Sequence, residues 1–382
     1  MGSDPSMPKL LCVVGARPNF MKIAPILRAL GDTIIDFRLI HTGQHYDVKM
    51  NQRFFEQLAI PQPDVDLEVG SASHAVQTAE IMRRFEAVVD EEQAHAVLVV
   101  GDVNSTIACA LVAAKKGLKV IHVEAGLRSF DRRMPEEINR VLTDQLSDLL
   151  FTTEREALDN LRAEGIDPAR VHFVGNVMID TLRSCLERAV APATVLQASG
   201  QAAHFHERFG LLTLHRPANV DDPQVLRRLL ETLGGLSRRL PLVFPVHPRT
   251  RAMLARHGLE NLLPGDSVLL TEPLGYLEML GLMAKARLVL TDSGGIQEET
   301  TALGIPCITL RDNTERPITV SQGTNTVVGS DPARIEAAFM DILDTGGKAG
   351  QIPEYWDGRA AQRIAAVLAN WLPAQPQAGE YS

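Results

Sequence analysis

Ala-Val-Leu-Val-Val-Gly-Asp, residues 96–102, and Lys-Val-Ile-His-Val-Glu-Ala-Gly-Leu-Arg, residues 119–128, flank an alanine-rich stretch that closes on Lys115, Lys116 and Gly117. Two continuous apolar runs joined by a helix-length segment make a βαβ unit of a parallel sheet buried on both faces. Asn104 or Ser105 is expected to cap the helix, and Gly117 to end it. The two runs end in acids, Asp102 and Glu124. In a parallel sheet both side chains leave from the same edge. One acid after an apolar strand is commonly just a loop start. Two in succession, at the edge where α/β proteins bind ligands, point to chemistry.

The same alternation continues outward from this unit. Further strands are expected at 9–14, 37–41, 149–152 and 171–174 in the first half. In the second half they fall at 211–214, 242–246, 268–270, 288–291, 306–310 and 326–328. The expected fold class is α/β, with two Rossmann-like doubly wound parallel-sheet domains and a ligand cleft between the carboxyl ends of their sheets. A chain of 382 residues is long enough for two such domains. Their junction is placed near 175–180, giving domains at 7–177 and 178–358. The segment 359–373 reads as an amphipathic helix whose Ile364, Val367, Leu368 and Trp371 must pack on something.

Composition narrows the partners. Apolar residues make up 45% and charged residues 22%, values of a globular protein, and no apolar run reaches the roughly 20 residues of a membrane span. Residues 1–6 read as an added leader with Met7 as the natural start. No signal peptide follows, so the expected compartment is the cytoplasm. A net charge of −9 argues against nucleic acid, which demands a basic face. The four cysteines, Cys12, Cys109, Cys185 and Cys307, form no CxxC pair and are expected to be buried thiols. His41, His45 and Asp47 have a spacing that imitates metal ligands, but no second cluster completes a site, and no metal is expected.

More candidate groups stand at the same strand ends. Met-Pro-Glu-Glu-Ile-Asn-Arg, residues 134–140, places Pro135 in a first helical turn with Glu136 and Glu137 at the positive dipole end. Ile138, Val141, Leu142 and Leu149 are read as the buried stripe, leaving one glutamate to face a ligand that loop 129–134, with Arg132 and Arg133, could cover. The first strand ends in Gly-Ala-Arg-Pro-Asn-Phe-Met-Lys, which brings Arg17 and Lys22 to its mouth. Arg17, before a proline, is expected to be extended and to clamp a diphosphate. His215 and Arg216 follow an apolar strand, and His247, one strand later, is read as structural. Leu-Thr-Asp-Ser-Gly-Gly, residues 290–295, runs from strand into helix and builds an anion site from free amides, a positive dipole end and the glycines Gly294 and Gly295 beside Ser293. Glu299 and Arg316 could hold a ribose and phosphates. No G-x-G-x-x-G and no G-x-x-x-x-G-K-[ST] occurs, so neither a dinucleotide fingerprint nor a P-loop is present.

These motifs, in this order over about residues 9–330, resemble the UDP-N-acetylglucosamine 2-epimerase family, non-hydrolysing type. Further matching stretches are His-Thr-Gly-Gln-His-Tyr-Asp (41–47) and Thr-Glu-Arg-Pro (314–317). The resemblance implies a GT-B architecture with a UDP-binding second domain and the C-terminal helix packed back on the first domain. It implies a homodimer, a place in polysaccharide biosynthesis, and interconversion of UDP-GlcNAc and UDP-ManNAc without a cofactor. In that chemistry UDP is eliminated to a 2-acetamidoglucal and added back. Carried over by position, Asp102, Glu124, Glu136 and His215 are catalytic. Arg17, Lys22, His45, Arg128, Ser293, Gly294, Gly295, Glu299 and Arg316 bind the UDP-sugar. The chain departs from many members at Ala218, where they carry glutamate, and at Leu274, where some carry glutamine. It also has no arginine in 68–74, where substrate-regulated members carry one. The alternatives are a 2-epimerase of a UDP-2,3-diacetamido sugar or its uronic acid, a hydrolysing 2-epimerase, a GT-B glycosyltransferase and a non-catalytic sensor.

Overall fold

Thirteen short strands are defined among the described residues, and every pairing between them is parallel. The computed structural model describes residues 7–44, 54–198, 205 and 208–375. The strands are β1 Lys9–Val14, β2 Asp36–His41, β3 Val65–Asp66, β4 Ala96–Val100, β5 Lys119–Ala125, β6 Leu149–Thr152 and β7 Val171–Phe173. Then come β8 Gly210–Thr213, β9 Leu242–Pro245, β10 Val268–Thr271, β11 Val289–Thr291, β12 Cys307–Thr309 and β13 Asn325–Val327. They build two sheets, in the orders β3-β2-β1-β4-β5-β6-β7 and β10-β9-β8-β11-β12-β13. Both orders are doubly wound, giving the two Rossmann-like parallel sheets expected of a GT-B architecture. Only β3 escaped the sequence pattern, because an edge pair of two residues carries no periodicity.

The chain forms two units. The first holds the residues up to Ser184 and again from Glu354; the second is Cys185–Pro353. The division falls inside the helix Val177–Leu186, because the start of that helix is tied into the first unit. Thr181 Oγ1 donates to the Met21 carbonyl at 2.5 Å, and the Asp180 carboxylate accepts from the amides of Ala360 and Ala361 at 3.1 and 2.7 Å. Those amides open the helix Ala360–Trp371, whose Ile364 and Leu368 are buried. Trp356, fully buried ahead of it, donates to the Thr153 carbonyl at 3.2 Å.

Continuous burial explains the continuous apolar runs. All five residues of β4 are buried, and Val97, Val99 and Val120 pack with Ile81 and Phe85 of the helix His74–Glu92. In the second unit Leu212, Phe244, Leu290 and Ile308 pack against Leu230 and Leu233 of Pro223–Leu236 and against Phe339 of Pro332–Thr345. Asp222 and Asp331 cap these two helices, accepting from the Gln224 and Arg334 amides at 2.7 and 3.0 Å. All four cysteines are buried, and none forms a disulfide among the described residues.

Three local readings are corrected. The helix Asn104–Lys115 starts after Val103 and has no side-chain cap; Asn104 instead accepts from Asn139 Nδ2 at 3.3 Å. Arg17 is not extended. Ala16 takes the extended conformation and Arg17 begins the helix Arg17–Leu30, where Pro18 lacks an amide that the first turn does not need. The third correction concerns Pro135–Leu146, whose buried residues are Glu137, Asn139, Arg140, Thr143 and Asp144. Ile138 and Leu142 are 45% and 48% exposed. Its polar face turns inward because the strand ends beneath it need partners.

Candidate active site

In a doubly wound sheet the crevice lies at the carboxyl edge where strand order reverses, between β1 and β4 in the first unit and between β8 and β11 in the second. Each sequence candidate can be located against those two switch points.

In the first unit β4 runs into Gly101 and Asp102, beside the end of β5. The ladder between β5 and β6 breaks at Glu124, which holds a left-handed φ of 73°. A bulge there re-aims the side chain, and a non-glycine residue in that region is strained. Glu124 forms a buried ion pair with Lys22, both side chains being about 5% exposed or less. Gly101, at φ 68°, is what admits the pair. A Cβ on it would lie 2.8 Å from Lys22 Nζ and 3.6 Å from Glu124 Oε2. Asp102 carries its own cation: Arg140 Nε and Nη2 donate to Oδ2 at 3.1 and 2.5 Å, and Asn139 Nδ2 donates to the Asp102 carbonyl at 2.9 Å. The structure thus brings Asp102, Glu124 and Lys22 together.

The two helix-start glutamates separate in role. Glu137 is 2% exposed and accepts from the amides of Ser129 and Phe130 at 2.9 Å each and from Arg140 at 2.6 Å. Glu136 is half-buried. Arg128 lies elsewhere: its guanidinium donates to Glu164 at 2.8 and 2.5 Å and pairs with Asp144 at 2.7 Å. Asp144 in turn lies 2.6 Å from His122 Nδ1, so Arg128 braces the inside of β5. The backbone of Arg17 opens its helix at the end of β1. His45 and Asp47 lie outside the described residues; His41 pairs with Asp66 at 2.9 Å.

In the second unit His215 follows β8 and Asp292 follows β11. His215 Nδ1 lies 2.9 Å from Asp292 Oδ1. Asp292 is fully buried and also accepts from the amides of His215 and Arg216 and from Asn219 Nδ2. Burial works against its charge, yet His215 and these amides outweigh it and hold the carboxyl below its usual range. Ser293 precedes the helix Gly294–Leu303, and no side chain caps that start. Gly294 sits on a buried charge cluster: a Cβ there would lie 2.7 Å from both Arg316 Nη1 and Glu315 Oε1. Arg316 pairs with Glu298 at 2.9 Å and with Glu315, which Arg311 also holds at 2.7 Å. Gly295 takes the second position of the helix. Glu299 is buried one turn on. Burial pushes its carboxyl up to about 7, partly offset by Tyr276, which donates to it at 2.8 Å. His247 caps Pro248–His257 through its ring, 3.2 Å from the Arg249 amide.

Sequence reasoning missed Asp292 and Arg140 as partners of candidate groups. Asp292 was visible as the residue after a strand, but its pairing with His215 follows only once β8 and β11 are neighbours. Arg140 was visible as the (i, i+3) partner of Glu137.

Two doubly wound sheets, one with cation-held carboxylates at the ends of β4 and β5 and the other with a His–Asp pair beside a glycine turn at its switch point, each carry proton-transfer or anion-binding groups at the ligand-binding edge. The sequence profile of the family described as UDP-N-acetylglucosamine 2-epimerase matches residues 28–369. The UDP-N-acetylglucosamine 2-epimerase of Methanococcus maripaludis is 43% identical over 332 residues, 86% of this chain and 90% of that one. The UDP-2,3-diacetamido-2,3-dideoxy-D-glucuronate 2-epimerase of Pseudomonas aeruginosa is 42% identical over 369 residues, 94% and 99%. The crystal structure of Methanocaldococcus jannaschii UDP-GlcNAc 2-epimerase in complex with UDP-GlcNAc and UDP matches with a TM-score of 0.88 at 41% identity, over 95% of this chain and 99% of that one. The chain belongs to the UDP-N-acetylglucosamine 2-epimerase family, whose members are isomerases of UDP-sugars.

Proposed function

We propose that this protein interconverts UDP-N-acetylglucosamine and UDP-N-acetylmannosamine. The observation that carries the reading is the pair of cation-held carboxylates, Asp102 and Glu124, on adjacent strand ends of a family member without a dinucleotide fingerprint. Carbon 2 of the sugar has no neighbouring carbonyl to acidify its proton. Proton removal must therefore be coupled to departure of a good leaving group. One acid takes the C2 proton while the C1–O bond breaks and its electron pair leaves with UDP, giving a 2-acetamidoglucal with a C1–C2 double bond. A proton then reaches the opposite face of C2 and a UDP oxygen re-forms the bond to C1. Asp102, Glu124 and Glu136 are assigned to the proton transfers. His215, oriented by Asp292, and the amides opening Gly294–Leu303 are assigned to the departing diphosphate. Arg17, Lys22, Ser293, Gly294, Gly295 and Arg316 are assigned to UDP-sugar contacts, and Glu299 to the ribose. His45 is retained among those contacts on the strength of its motif. Arg128 fits better as a brace through Asp144.

The test is product identity. Purified protein is given UDP-GlcNAc, UDP-ManNAc and the 2,3-diacetamido sugar with its uronic acid, and products are read by NMR. Equilibration of the first two supports the assignment; turnover confined to the diacetamido compounds replaces it.

We also propose that two copies pair through the outward face of Pro135–Leu146. Exposed Ile138 lines a shallow pocket of about 390 Å³ with Ala75, Ala79, Met82 and Pro135, and Leu142 is exposed one turn along the same helix. Ile138→Glu with Leu142→Glu should halve the mass measured by light scattering. A wild-type monomer would contradict the pairing.

A further inference from the structure

A guanidinium on the inward face of a helix, 3% exposed, is costly unless opposite charge meets it. Arg140 meets two acids, and they belong to two different segments of the candidate site. Nε and Nη2 reach Asp102 Oδ2 at 3.1 and 2.5 Å, while Nη1 reaches Glu137 Oε2 at 2.6 Å. Glu137 Oε2 also accepts from the Ser129 amide and hydroxyl at 2.9 and 3.0 Å, and Oε1 accepts from the Phe130 amide at 2.9 Å. Phe130 has a left-handed φ of 57°, so the Glu137 contacts hold a backbone that would otherwise relax. Asn139, the preceding residue, fixes the Asp102 carbonyl at 2.9 Å.

We propose that Arg140 is a positioning residue for the reaction: it sets the rotamer and charge of Asp102 and locks that carboxylate to the loop leading into Glu136. The inference rests on the reading in which Asp102 moves a proton at carbon 2. A single strut between both acid-bearing segments fixes how far apart the two carboxylates sit. Proton transfer is sensitive to that spacing, since a base must lie within hydrogen-bond reach of the proton it takes. A purely architectural ion pair would support folding without tuning turnover.

The experiment compares Arg140→Gln, Arg140→Lys and Asp102→Asn for kcat, KM and the pH dependence of kcat. Loss of one charged hydrogen-bonding partner should lower kcat in Arg140→Gln by about tenfold or more, with KM within about twofold. The acidic limb of its profile should move to higher pH, because removing a neighbouring cation favours the protonated acid. Arg140→Lys keeps the charge that the two carboxylates need for folding but cannot make the forked contact. Its acidic limb should return to the wild-type position while kcat stays several-fold low. Wild-type kcat in Arg140→Lys, or an unmoved acidic limb in a folded Arg140→Gln, overturns the inference. Full activity in Asp102→Asn instead overturns the functional reading beneath it. An inactive Asp102→Asn beside unaffected Arg140 variants removes Arg140 alone.

Discussion

The first and second units wind their sheets in the same order but furnish the reversal point differently. At the ends of β4 and β5, next to the β1–β4 reversal, stand carboxylates each held by a buried cation: Glu124 by Lys22, Asp102 by Arg140. Between β8 and β11 stands an imidazole on a fully buried aspartate, beside an uncapped helix start whose glycines allow close approach. Sheet order chooses where a site can be, and the residues there choose what it does. Carboxylates suit proton transfer. Free amides and a positive dipole end suit a departing diphosphate.

The sharpest way to break this division is to neutralise the first unit's acids without changing their shape. Asp102→Asn, Glu124→Gln and Glu136→Gln should each lower turnover by about 100-fold or more, with UDP affinity by calorimetry close to wild type. Loss of UDP binding together with turnover would assign those acids to the scaffold. Next in size is the orienting aspartate of the second unit. Asp292→Asn leaves the His215 ring in place but removes the charge beside it, and kcat should fall about tenfold or more. Normal kcat would make the pair architectural. Gly294→Val follows: its side chain meets Arg316 and Glu315 at 2.7 Å, so UDP affinity should drop about tenfold, read by calorimetry, with the acids of the first unit untouched.

A comparison by stability rather than turnover uses the two buried acids whose pKa burial raises. Burial pushes Asp180 of the first unit from 3.8 to about 6, against the Ala361 and Ala360 amides, and Glu299 of the second from 4.5 to about 7. In both, the folded chain binds the proton more tightly than the unfolded chain does. Their contribution is therefore full below pH 3.8 and 4.5 respectively and is lost as pH rises to about 6 and about 7. Each loss is on the order of 3 kcal/mol at about 1.4 kcal/mol per pKa unit. Asp180→Asn should flatten the fall in calorimetric melting temperature over the first window, and Glu299→Gln over the second. Slopes identical to wild type would show that both acids are ionised throughout.

Much of this was legible in the sequence, for a physical reason. A parallel strand buried on both faces is a continuous apolar run, so β1 and β6 fall at the expected residues. The acids at the ends of β4 and β5 and the histidine after β8 were legible because a strand end is a chemical boundary. What pairing does across the sheet was not. Asp292 reaches His215 from 77 positions away, and the inward turn of Arg140 inverts the polarity that helical periodicity assumes. Amphipathic reading puts apolar residues inside. On Pro135–Leu146 the interior is a set of strand ends that need hydrogen bonds, so Glu137, Arg140 and Asp144 go in and Ile138 and Leu142 stay out.

The account turns on breaking the bond between carbon 2 and its hydrogen without a hydride carrier. The direct measurement is epimerisation of UDP-GlcNAc in heavy water by protein stripped of small molecules, followed by proton NMR at C2. Elimination and re-addition predict UDP-ManNAc with solvent deuterium at C2, and deuterium entering the recovered UDP-GlcNAc as equilibrium is approached. Product that keeps its original C2 hydrogen, or activity that requires added NAD, would contradict it.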